Sequence, residues 1–142
     1  TRPDDPDVQY SLGRALLANR QPRDAAAAWQ RAVSARPDSL VFVLDLAWLL
    51  ATDDEVRDTG EAVRLAERAS KTTGNTDPAA LDVLAAAYAA DGRIDLAVRT
   101  AQSALQRALS KNNTRLAADI RSRLQQYEDA RQGTAASPGG RP

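Results

Sequence analysis

The sequence predicts an all-α fold, an α-solenoid of three helical-hairpin repeats closed by a C-terminal capping helix. Three observations carry that reading. No segment alternates apolar and polar residues with period two, so no strand is expected. Seven stretches instead place apolar residues at helical spacing, with Gly, Pro and Asn breaks between them. The stretches also come in pairs, and the pairs resemble one another at a spacing of about 34 residues.

The first helix opens at Asp5-Pro6, since Asp can cap and Pro is tolerated in a first turn. Leu12, Gly13 and Leu16 share one of its faces, and Asn19 to Pro22 breaks it. Ala25, Trp29 and Ala32 stripe a second helix that Pro37 ends, and Asp38 is placed to cap the third. That third helix contains Leu40 to Leu50, LVFVLDLAWLL, the stretch that organises the rest; Asp45 alone is polar. It is too short for a membrane span, which needs roughly 18–20 apolar residues. A helix apolar all round must be covered on nearly every side. The neighbouring chain is therefore expected to pack around it, unless one face is kept for a partner.

Ala51 to Thr59 is polar and reads as a loop. Asp58 and Glu61 have capping-box spacing for a fourth helix, Gly60 to about Thr72, striped by Ala62, Leu65, Ala66 and Ala69. Gly74-Asn75 stops it and Asp77-Pro78 starts the fifth, with Leu81, Leu84, Ala85 and Tyr88. After Asp91-Gly92 the sixth carries Ile94, Ala97, Ala101, Ala104 and Leu105. Asn112-Asn113 precedes a seventh, with Leu116, Ile120, Leu124 and Tyr127 on one stripe. One domain is expected over 1–132, with repeats at about 6–39, 40–76 and 77–110 and a capping helix at 113–132. Gly133 to Pro142, GTAASPGGRP, is expected to be a disordered tail.

Composition narrows function. Charges balance at 19 basic and 19 acidic, so there is no global attraction to nucleic acid or to an anionic membrane. The absence of Cys removes disulfides and thiolate chemistry, and the absence of His removes the usual general base and the commonest transition-metal ligand. Ser and carboxylates remain, but no base–orienter constellation is visible, so a catalytic role is not expected. No cofactor motif is visible, and Gly139-Gly140 falls in the tail. Basic residues are nearly all Arg and Ala is abundant, which fits a GC-rich bacterial genome. The chain begins at Thr1 and has no Met, as expected of a piece excised from something longer.

The pairs follow a known pattern, W-x2-L-G-x2-Y, then A-x3-F, then P, over about 34 residues. Residues 9–37 supply Leu12-Gly13, Leu16, Ala25, Trp29 in the Phe slot and Pro37. The second copy supplies Val43, Leu46-Ala47, Leu50, Ala62, Ala66 and Ala69; the third supplies Leu81, Leu84-Ala85, Tyr88, Ala97, Ala101 and Ala104. On these residues the chain resembles the tetratricopeptide repeat family, and its closing part resembles a variant common at the C-terminal ends of bacterial repeat proteins. The resemblance implies a right-handed solenoid that binds proteins. Ala47 and Ala85 stand where the family has Gly, which is expected to widen those crossings.

The resemblance also implies a concave groove lined by the first helix of each pair. Its positions here are Asp7, Tyr10, Arg14 and Leu17, then Val41, Leu44 and Trp48, then Asp82, Ala86 and Ala89. Tyr10, Arg14, Leu17, Val41, Leu44, Trp48 and Asp82 are the candidate partner contacts. Leu44 and Trp48 fit equally well a core covered by curvature or by the 51–59 loop. The family's carboxylate clamp needs Lys and Asn at groove positions, which this groove lacks, so acidic chaperone C-termini are not expected ligands. Asp53, Asp54, Glu55 and Asp58 lack the spacing of a calcium loop and read as solvated. Arg115, Arg121, Arg123 and Arg131 interleave with Asp119, Glu128 and Asp129, a solvated face rather than a nucleic-acid stripe. The implied partner is a protein or peptide, without nucleic acid or membrane. Self-association into a homo-oligomer is the alternative, as is an accessory role to an enzyme whose catalytic part lies elsewhere.

Overall fold

The computed structural model describes residues 2–136. Among them it is all helical: α1 (Pro6–Ala18), α2 (Pro22–Ala35), α3 (Leu40–Thr52), α4 (Thr59–Thr72), α5 (Pro78–Ala90), α6 (Ile94–Ser110) and α7 (Thr114–Ala136). Helices α1 and α2, α3 and α4, and α5 and α6 pack as hairpins, and α7 closes on α6. Between hairpins α3 touches α2 and α5, while α4 touches α5. The helix starts follow local chemistry. Asp5, Asp58 and Asp77 each accept a backbone N–H of the first turn, from Asp7, Glu61 and Ala80. Pro6, Pro22 and Pro78 occupy first-turn positions where no N–H is needed.

Some boundaries differ from the sequence reading. Ser39, not Asp38, caps α3, its hydroxyl accepting from the Phe42 N–H at 3.4 Å. Helix α3 runs on to Thr52, and α4 begins at Thr59, directly after its cap. Helix α7 passes through Gly133 to Ala136, four residues beyond the expected end. The rest of the expected tail, 137–142, lies outside the described residues.

The core follows α3. Eight of its residues are buried, from Phe42 to Ala51, as an all-apolar helix requires. Gly13 is the close-approach point of the first hairpin, because a Cβ there would run into the Trp29 indole. Trp29 is 5 % exposed and its Nε1–H donates to the Tyr10 carbonyl at 3.0 Å. Leu12, expected in the seam, is 42 % exposed. Among the described residues no helix covers it, whereas its counterparts Leu46 and Leu84 are buried.

At the other end Ala117 and Ile120 of α7 bury Leu81, Ala104 and Ala108. Leu124 and Tyr127 join the main core instead. Gly13→Ala is expected to destabilise by about 1–3 kcal/mol through overpacking against Trp29. Ile120→Ala should lose about 2–5 kcal/mol, since Ile120 is fully buried. Urea unfolding followed by circular dichroism checks both; wild-type midpoints would contradict the close approach at Gly13 and the sealing role of α7.

Candidate functional site

The concave positions of α1 and α3 meet around Tyr10. Its ring stacks on Trp29 at 5.7 Å and on Phe42 at 4.7 Å between centroids. Its hydroxyl donates to Asp45 Oδ2, the lone charged side chain of α3. This contact supplies the only charged group of α3 with a partner, which a carboxylate near an apolar core requires.

Beside that junction lies an open cleft of about 400 Å³, lined by Arg14, Leu17, Ala18, Trp29, Asp45, Trp48 and Leu49. Its surface is mainly apolar, with two indoles and two charged groups among the lining residues. A larger hollow of about 750 Å³ lies along α1 and α2, lined by Pro3, Asp4, Gln9, Ala27, Gln30, Arg31, Ser34 and Ala35. It has no aromatic side chain. An aromatic floor with few polar groups is the usual form of a binding cleft, which favours the smaller one.

The expected groove residues divide. Arg14, Leu17 and Trp48 line the cleft, and Trp48 is half-buried there. Tyr10 stands behind the lining as its support. Val41 is 56 % exposed but lies outside the cleft. Leu44 and Asp82 leave the groove. Leu44 is 7 % exposed and belongs to the core. Asp82 is 6 % exposed because Arg123 of α7 closes over it. The Arg123 Nε donates to Asp82 Oδ1 at 2.9 Å and its Nη2 to Oδ2 at 2.5 Å. The same guanidinium lies 5.2 Å from the centroid of the Trp48 ring.

Arg123 was thus misplaced by the sequence reading, which put it on a solvated face. A signal existed: Arg123 falls between Ile120 and Tyr127 at helical spacing on the apolar stripe. Ala18, Asp45 and Leu49 were missed as lining residues as well. The acidic loop is used locally: Asp53 accepts from the Glu55 N–H, Asp54 pairs with Arg57, and Asp58 caps α4.

No family model matches the sequence, and no curated protein matches it. Solved structures do share the fold. MamA 41-end from Desulfovibrio magneticus RS-1 superimposes with a TM-score of 0.62 at 18 % identity, covering 89 % of this chain and 77 % of that one. The MamA RS-1 ArsTM double mutant gives 0.63 at 17 % identity, over 92 % and 79 %. MamA is a helical repeat solenoid. This chain has that fold. At such identity the likeness speaks for the fold alone.

Electrostatics around the solenoid's aromatic groups are set by burial. Tyr10 is pushed up to about 12 by desolvation and then by its hydrogen bond to Asp45. Tyr88, donating to Glu67 Oε2 at 2.7 Å, reaches about 12 for the same two reasons. Tyr127 reaches about 12 through burial and the nearby Asp82 charge. Asp82 itself is raised, because burial outweighs the Arg123 guanidinium beside it. All three phenols are therefore held protonated by the fold. Their contribution is fully present below the ordinary value of 10.0 and is lost as pH rises from there to about 12. Near-ultraviolet absorbance during alkaline titration should show no phenolate in the folded chain until pH exceeds 10.0. A tyrosine ionising at that ordinary value while the helical signal persists would contradict the burial.

Proposed function

We propose that this solenoid is a protein–protein interaction module of the tetratricopeptide type. It takes a peptide or helix of a partner in the concave cleft between α1 and α3, as an adaptor or as the regulatory part of a larger protein. It acts as a binding module rather than as an enzyme. The cleft itself carries this reading: Trp29, Trp48, Leu17, Ala18 and Leu49 form an apolar floor beside Arg14. Among the described residues Arg36 and Arg123 are engaged by Asp7 and Asp82, while Arg14 lines the cleft without an ion pair. A partner segment with one large apolar side chain and a carboxylate beside it fits that arrangement. Burying such a side chain contributes about 1.5–3 kcal/mol, so binding is expected to be weak and reversible unless several contacts combine.

Self-association is a second reading, favoured by the outer stripe of α1. Leu12 is 42 % exposed there, against 2 % for Leu46 and 7 % for Leu84 at the matching positions. Mass in solution across a dilution series separates a dimer through that stripe from a monomer with a free cleft.

The groove reading is tested by selecting displayed peptides on the protein. Enriched sequences should carry a large apolar residue close to Asp or Glu. Trp48→Ala should abolish the enrichment, and Arg14→Glu should shift it away from acidic residues. Selection unchanged by Trp48→Ala would remove the cleft from consideration. Stability separates site from core in the same variants. Leu46→Ala is expected to cost about 2–5 kcal/mol, and Trp48→Ala clearly less, because that ring is half-buried.

A further inference from the structure

Three helices from successive parts of the stack meet at one guanidinium. Asp82 comes from α5, Trp48 from α3 and Arg123 from α7. The carboxylate is buried and takes the guanidinium in two parallel hydrogen bonds, which fixes the plane of the group as well as its place. That fixed plane carries the cation within reach of the Trp48 ring. Trp48 meanwhile lines the cleft between α1 and α3. The indole is thus held by α7 and offered to the cleft.

We propose that Arg123 is a positioning residue for the cleft: held by Asp82, it clamps Trp48 so that the indole stands as a fixed wall for a partner's apolar side chain. The inference rests on the cleft being the binding site. It makes α7 more than a seal, because this contact reaches past α5 and α6 to the wall formed by α3. Docking of α7 and occupation of the cleft are then linked, and each favours the other by the same factor.

Arg123→Lys discriminates. Lysine keeps the charge but lacks the planar fork that can pair with a carboxylate in two bonds and lie on an aromatic ring. The full chain is used in a Trp29→Phe background, so that Trp48 alone emits. Arg123→Lys and Asp82→Asn should both make Trp48 easier to quench with acrylamide and faster to depolarise, while far-ultraviolet helicity is retained. Loss of the clamp should shift the population of the held ring roughly 2- to 25-fold. Arg131→Gln, on the same helix but paired only loosely with exposed Asp95 at 3.8 Å, should leave Trp48 as it was.

Unchanged quenching in a helical Arg123→Lys protein would overturn the proposal and leave Arg123 as a tie between α5 and α7. If Asp82→Asn fails to fold, the lysine variant decides alone. A peptide selected on the wild-type cleft, titrated against Arg123→Lys, should bind more weakly in proportion to the freed ring. Equal affinity with a freed ring would also overturn the coupling. Failure of the cleft reading shows separately, as a wild-type protein that selects no peptide while its Trp48 remains protected; the clamp then has no partner to position, and the proposal falls with that reading.

Discussion

The structure depends on covering α3. A helix with apolar residues on every side cannot rest at a surface, and one neighbour buries only one stripe of it. The chain solves this by packing α2, α4 and α5 against it, so that eight α3 residues are buried. Two places on α3 resist simple cover. Asp45 must have a polar partner, and the Tyr10 hydroxyl supplies it. Trp48 stays half-buried; α7 covers part of it through Arg123, and the remainder lines the cleft. The candidate site is thus one place where the cover of the central helix is incomplete; Val41, near its start, is another.

Helix packing elsewhere is governed by complementary size. Where the seam residue is Gly13, the partner is Trp29, and the indole occupies the space a Cβ would need. In the later copies the seam residue is Ala47 or Ala85, and the position matching Trp29 is Ala66 or Ala101. All four alanines are essentially buried. An added methyl on one helix is thus matched by a smaller side chain at the corresponding place on its partner, as dense packing requires.

Much of this was legible in the sequence because it is local. Caps at Asp5, Asp58 and Asp77 and stops at Gly74-Asn75 and Asp91-Gly92 depend on residues within one turn of chain. Ser39 displaced Asp38 as the cap because the two are adjacent and both suitable; only the backbone path decides between them. The groove was partly legible. The family resemblance implies concave positions for Leu44, Trp48 and Asp82, but neither it nor helical spacing says where α7 lies. Leu44 was lost to the core and Asp82 to an ion pair, both through tertiary contacts from distant residues. Arg123 was obscured for the opposite reason: charged neighbours at Arg121 and Asp119 made it look like one more solvated residue.

Helix α1 contributes a single buried residue, Gly13, to the interior. Its hold on the rest runs through partly buried Tyr10, Leu16 and Leu17, the Tyr10 bond to Asp45, the Trp29 indole bond and the Arg36–Asp7 pair. Terminal segments with so little burial open locally far below the global unfolding free energy. Yet Arg14, Leu17 and Ala18, one wall of the cleft, ride on this helix. A chain with α1 undocked has no cleft at all. The apparent affinity of an occupant is then its intrinsic affinity scaled by the docked fraction. Any occupant that bridges α1 and α3 slows hydrogen exchange along α1 in return, so the amides of this helix would report occupancy without a label on the partner.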